Sequence, residues 1–402
     1  MATEPATKGA APAATPSATP AETPSATPAG TAPAPAGKKN LLGLIVLALA
    51  VIYPLAPFID WGLAAIGAPA ANLDRHLVSI FVFAMLALAL NLQVGYAGLL
   101  QLGISAFFAI GVYTAAILTV AKYPFQLELW GALVAAPIAA AGAGLLLGAP
   151  TLRLRGDYLA LVTLGFAEVM RVLLLNLESV TDGPRGLNPV PAPWLPSTVE
   201  SLAGRAATTG HLHQLVIYYT ALGCLVALVV VFRNIEKSRL GRAFVALRED
   251  ELASACVGQN PSRIKLIAFA GGAAVAGLAG ALYATNLTTT AEPNTYDFNY
   301  SVMVLCCVII GGLGSVRGAL LGAAVLVGFD NVASPMLTRW MQKSAGSDTG
   351  NVLLTFSNWR WIIFGTALVL MMRYRPRGLW PAERRREHDG DAQPARAQEG
   401  SA

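Results

Sequence analysis

Long, nearly uncharged apolar runs recur along this chain, and nothing else in it constrains the fold as strongly. They lie at about 41–59, 77–94, 103–121, 129–149, 158–176, 214–233, 264–285, 301–313, 318–333 and 359–373. About 20 apolar residues in helical conformation cross the roughly 30 Å hydrocarbon layer of a bilayer. Hydrophobic residues make up 55% of the 402 and charged residues only 13%, against about 25% charged in soluble domains. The expectation is an all-α polytopic integral membrane protein with about ten transmembrane segments.

The formal charge of +5 need not signal a nucleic-acid partner, because the basic residues fall in short loops and near the C-terminus. Residues 234–265 carry Lys237, Arg239, Arg242, Arg248, Arg263 and Lys265, whereas the longer loop 177–213 carries only Arg185 and Arg205. Basic loops stay in the cytoplasm, so the first loop is expected inside and the second outside. Counting outward places Lys38 and Lys39, Arg153 and Arg155, Arg317, and the Arg375–Arg386 cluster on the same side, with N-terminus and C-terminus both cytoplasmic. Residues 1–37 are almost wholly Ala, Pro, Thr, Ser and Gly and cannot bury enough apolar surface to offset the entropy of ordering. They are expected to form a disordered cytoplasmic tail, lacking the charged start and early apolar run of a signal peptide. Residues 38–381 form the transmembrane domain, and 382–402 a polar disordered C-terminal tail.

Several chemistries are missing. There is no GxxxxGK[ST] loop, no GxGxxG after a strand, and no Ser/His/Asp or Cys/His set, so no catalytic residue and no cofactor is expected in this chain. Cys224, Cys306 and Cys307 lie in apolar segments and Cys256 in a polar loop, with no ligand-like spacing. His211 and His213 are two imidazoles where a metal site needs three or four ligands. Neither a disulfide nor a metal site is expected.

Three features carry functional weight. In residues 238–258, Leu240, Phe244, Leu247, Leu252 and Ala255 recur at mostly three- or four-residue steps, as on one amphipathic helix, with Arg248, Glu249, Asp250 and Glu251 crowding its middle. A short helix of this kind either docks in a groove on a partner or ties two spans together. Gly258 would end it at positive φ. Secondly, GYAGLLQLG, with Gly95, Gly98 and Gly103, and GGLGSVRG, with Gly311, Gly312 and Gly314, each interrupt a pair of apolar segments. Such echoes mark a transport pathway or close helix packing. Thirdly, Glu168 and Arg171 share a face of the fifth span, where an unpaired charge costs about 2.5–3.5 kcal/mol. They should pair with each other, or face the interior or a solute path. The TDGPRG turn at 181–186 either shapes an external mouth or anchors a loop.

Several stretches, in order, resemble the LivM-like permease subunits of branched-chain amino acid ABC transporters. They are GYAGLLQLGISAFFAIGVYTAAIL (95–118), TLRLRGDYLALVTLGFAEVMR (151–171), TDGPRGL (181–187), SRLGRAFVALREDELASACVGQN (238–260), KLIAFAGGAAVAGLAGALYA (265–284), IIGGLGSVRGALLGA (309–323) and RPRGLWP (375–381). The resemblance implies a bacterial inner-membrane subunit that works with a second related permease subunit, two cytoplasmic ABC ATPase subunits that bind ATP and Mg, and an extracytoplasmic solute-binding protein. It makes 234–265 the ATPase-coupling loop, with Glu251 and its charged neighbours orienting the helix and Leu247 and Leu252 filling the ATPase groove. The sequence departs from the general importer pattern in placing Glu251 seven residues before Gly258 and in lacking a later Leu-Pro; the proline-rich tail has no counterpart. Urea or short-chain amide permeases share much of the motif set and are the alternative. An ion-driven secondary transporter would need intramembrane acids, for which Glu168 is the obvious candidate, and a channel would conduct without nucleotide. Because the spans hold few convergent polar groups, solute choice is expected to rest with the binding protein.

Overall fold

A computed structural model describes residues 73–338 except 125–126, 152–153, 155, 189, 191–208 and 291, together with 356–375 and 378–380. The apolar run at 41–59 and the two tails lie outside these residues. Each of the other nine runs coincides with a helix. These are α1 (Leu73–Leu90, continued by a π-helical turn Asn91–Tyr96), α2 (Ile104–Thr119), α3 (Leu129–Thr151), α4 (Asp157–Asn176) and α5 (Thr209–Lys237). After two short helices come α8 (Pro261–Leu287), α9 (Phe298–Gly311), α10 (Val316–Gly328, continued by a π turn Phe329–Ala333) and α11 (Phe356–Tyr374). Among the described residues, six helices are long and apolar enough to cross a membrane, and the helices at 104–119, 298–311 and 361–374 are shorter apolar ones.

Lipid gives helices no hydrophobic reason to associate, so they hold together by close packing of small residues. The centre of the fold is α8, which packs on α1, α2 and α3 through buried alanines and glycines. A Cβ on Gly111 of α2 would fall 2.3 Å from the Gly277 carbonyl, and one on Gly280 would fall 2.4 Å from that of Phe108. Where the backbones part, aromatic rings fill the space: Phe108 stacks on Tyr300 at 5.2 Å between centroids and meets Tyr283 at the same distance.

The connections gather at two ends. At one, Lys122 pairs with Asp182, Tyr123 donates to the Val180 carbonyl, and Val190 N donates to Thr288 O at 2.9 Å. The other holds the end of α1, the basic segment after α5, the turn between α9 and α10, and residues 378–380. The basic loop therefore lies at the end opposite 178–190, as the charge pattern expects.

Candidate functional site

Each Gly-rich interruption breaks a helix at a defined place. At the end of α1 the chain loosens into its π turn, and Ala97 N and Leu99 N donate back to Leu92 O and Gln93 O at 3.2 and 2.8 Å. Gly98 then takes φ +69°, a conformation glycine adopts without a Cβ penalty. Farther on, Leu102 N donates to Thr163 Oγ1 at 3.1 Å, and Gly103 lies so close to α4 that a Cβ would sit 2.3 Å from Thr163 O. The second interruption ends α9 at Gly311, passes through Gly312 and Gly314 at positive φ, and starts α10 where Ser315 Oγ accepts from Gly318 N at 3.1 Å.

The two interruptions meet. Gly314 N donates to Asn91 Oδ1 at 2.8 Å, and a Cβ on Gly95 would fall 2.6 Å from Gly314 N. Gly95, Gly98, Gly311, Gly312 and Gly314 thus converge on one joint. Residues 378–380 join it as well, because Leu379 N and Trp380 N donate to Ile310 O and Gly311 O at 2.9 and 3.0 Å. These two bonds satisfy carbonyls that the end of α9 would otherwise leave without partners. A Cβ on Gly378 would fall 2.4 Å from Gly312 Cα.

The segment 238–258 corrects the expectation of one amphipathic helix. It forms two, α6 (Arg239–Glu249) and α7 (Glu251–Cys256), separated by Asp250 in an extended conformation. The break follows from capping chemistry: Asp250 Oδ1 accepts from Leu252 N at 2.8 Å and Ala253 N at 3.1 Å, starting a new helix. Ser238 caps α6 in the same manner through Gly241 N at 3.3 Å. The apolar ridge is consequently divided. Phe244 and Leu247 are 1% and 5% exposed and pack inside the subunit, so Leu247 fills space against its own helices rather than a partner's groove. Leu252 is 65% exposed and Val257 82%, with Ala255 exposed between them.

The charges divide similarly. Arg248 turns inward: its Nη1 donates to Gly95 O at 2.6 Å, and its Cγ would lie 2.8 Å from a Cβ on Gly98. Glu251 Oε1 meets Lys265 Nζ of α8 at 2.7 Å, with the lysine side chain only 6% exposed. Glu251 is thus engaged within its own subunit. Glu249 and Asp250 face outward. Gly258 takes φ +86° with open space where a Cβ would stand, so its role is conformational.

In α4 the expected pair is present. Arg171 Nε donates to both carboxylate oxygens of Glu168 at 3.1 Å, and Arg171 Nη1 donates to Asn294 Oδ1 at 2.5 Å. The pair sits on the surface of the chain, with the Glu168 side chain 51% exposed. Among the described residues, no three His, Cys, Asp or Glu gather as metal ligands; the His211 side chain lies outside them. Sequence reasoning passed over Asn91 and Gln93 and counted Lys265 only as a loop charge. Their one signal was polarity at the edge of an apolar run, which also fits a span ending at the water interface.

Residues 72–372 match the family described as branched-chain amino acid transport system / permease component. The chain belongs to this family. LivM of Escherichia coli (strain K12), a high-affinity branched-chain amino acid transport system permease protein, is 38% identical over 315 residues, covering 75% of this chain and 68% of LivM. LivH of Salmonella typhimurium, a permease protein of the like-named system, is 26% identical over 254 residues, covering 61% of this chain and 79% of LivH. An archaeal relative, the probable branched-chain amino acid transport permease protein LivM of Methanocaldococcus jannaschii, is 23% identical over 255 residues, covering 62% of this chain and 69% of that protein.

Proposed function

We propose that this chain is one of two related permease subunits of an ATP-driven importer for branched-chain amino acids in the bacterial inner membrane. Two ATPase subunits dock on α6 and α7 at the cytoplasmic face, and a solute-binding protein delivers the solute at the opposite end. The positive-inside pattern supports ten spans with both termini in the cytoplasm. The observation that carries the reading is the bond from Arg248 to Gly95 O. It ties the exposed helix pair to the end of α1, which Asn91 ties in turn to the α9–α10 turn. A push on α6 thereby reaches three spans together. Outward-facing Leu252 and Val257 supply apolar contact to the ATPase, with Glu249 beside them.

The test is reconstitution of the whole complex in proteoliposomes with binding protein, reading ATP-dependent leucine uptake and stimulated ATPase activity. Leu252→Asp with Val257→Asp should abolish both while this chain still reaches the membrane with its partner permease. Desolvating a carboxylate at such a contact without a partner costs about 2–5 kcal/mol, enough to release the ATPase. Normal stimulation in this variant would refute docking on α7. Normal stimulation by a urea-loaded binding protein, with none by a leucine-loaded one, would refute the solute assignment.

A further inference from the structure

One face of α4 joins charges that lipid does not accommodate to residues that suit a neighbouring helix. Leu161, Gly165, Glu168 and Val172 recur along it at three- or four-residue steps, with Val169 beside Glu168. Leu161 and Val169 are 65% and 64% exposed and Val172 is 41% exposed. A Cβ on Gly165 would meet nothing within 4 Å. At about 1.5 Å per residue, Glu168 lies about 12 Å from the Asn176 end of α4 and about 16 Å from the Asp157 end, well inside the span. Its pairing with Arg171 leaves the carboxylate side chain half exposed, and charged groups at that depth face protein or water rather than acyl chains. The exposed faces of α3 and α5 differ. They present Val134, Ile138 and Leu146, or Val230 and Val231, and no charged residue lies between Leu129 and Thr151 or between Gln214 and Phe232. Such faces suit lipid.

We propose that this face of α4 is the surface on which the second permease subunit packs, an inference that rests on the importer reading above. Helices associate in lipid through small residues that let backbones approach and through polar side chains that bond across the contact. Gly165 supplies the first and the Glu168–Arg171 pair, one turn away, the second. A water-filled path leaves Leu161, Val169 and Val172 wet, whereas a helix covers the apolar residues and meets the charges with its own polar groups. The helix received here carries a small residue opposite Gly165 and a hydrogen-bonding side chain opposite Glu168. The binding protein and the ATPases dock at the two ends of the subunit, so of the proposed partners the second permease is the one that reaches the depth of Glu168. Two related subunits pair about an approximate two-fold axis, which sets like surfaces against each other, and a partner with a similar pattern of spans offers a helix of this kind.

The experiment uses the complete complex in native membranes, with the photo-crosslinking residue p-benzoylphenylalanine in place of Leu161 or Val169 on α4, or of Val134 or Ile138 on α3, and adducts identified by mass spectrometry. Irradiation should join both α4 positions to the second permease subunit and give no permease adduct from α3. Three results would each overturn the surface: no permease adduct from either α4 position, adducts there to a second copy of this chain or to residues 41–59 of the same chain, or equal permease adducts from α3. Gly165→Leu should lower recovery of the second permease with this chain about tenfold, while thermal unfolding of the purified chain stays as in the wild type. Unchanged recovery would also overturn the surface. ATPase stimulation of the unmodified complex by leucine-loaded binding protein is read in parallel; its absence would sink the importer reading, whereas its presence without permease adducts from α4 would sink only the surface.

Discussion

Gly322 has no room for a methyl group: a Cβ there would fall 1.9 Å from the Cys307 carbonyl across the α9–α10 contact. Gly165 and Gly223, in equally apolar helices, have nothing within 4 Å of that position. Overpacking of this kind costs about 1–3 kcal/mol, so Gly322→Ala should lower the detergent-solubilised melting temperature, and Gly165→Ala and Gly223→Ala should leave it unchanged. Equal melting of all three would show that α9 and α10 separate without penalty. Lys265 presents the opposite problem, a nearly buried ammonium that needs its carboxylate. Removing Glu251 by Glu251→Ala strands that charge, and breaking a buried pair in this way costs about 3–5 kcal/mol; Glu251 is partly exposed, so the lower end of that range applies. Glu251→Lys should be worse still, since it sets two ammonium groups face to face. Replacing both residues together, Glu251→Gln with Lys265→Met, should recover most of the loss, as measured by thermal unfolding of the purified chain.

The helices α6 and α7 are separate because one side chain caps the second of them. Asp250→Ala removes the acceptor for two N–H groups, and an N-cap loss of this type is worth about 1 kcal/mol. Hydrogen exchange across 251–256 should rise several-fold in this variant while exchange in α6 stays constant; unchanged exchange would mean that packing, not the cap, defines α7. Arg248→Ala acts on the other helix. It leaves the outward residues in place and cuts the link to Gly95, so the assembled complex should hydrolyse ATP with leucine uptake per ATP reduced. A variant with both normal would show that force reaches α1 by another route.

Across the whole molecule, alternation of the connections places 178–190 and the helix pair at opposite ends. Cys256 is exposed on α7, whereas Cys306 and Cys307 are buried. A membrane-impermeant maleimide should therefore label Cys256 in inside-out vesicles and not in intact cells, with Cys256→Ser as the control. Labelling from outside would invert the topology, and with it the side on which the ATPase docks.

Read alone, the sequence was enough for the membrane class, for nine apolar runs as helices, and for the motifs that mark the family, because bilayer thickness and the cost of charge in lipid are written as run length and polarity. A Glu168–Arg171 pair was among the arrangements the sequence offered, since a three-residue spacing puts both on one helix face, and the structure has it. The tertiary structure alone decided that Gly95, Gly314, Arg248 and the Gly378–Trp380 segment share one joint, that Leu247 faces inward while Leu252 faces out, and that Glu251 belongs to Lys265. Each of these depends on contacts between residues far apart in the chain. In lipid the helix faces differ little in hydrophobicity, so periodicity carries almost no information about which face meets which neighbour; small residues and a few buried hydrogen bonds settle it, and their partners appear only when the helices have packed.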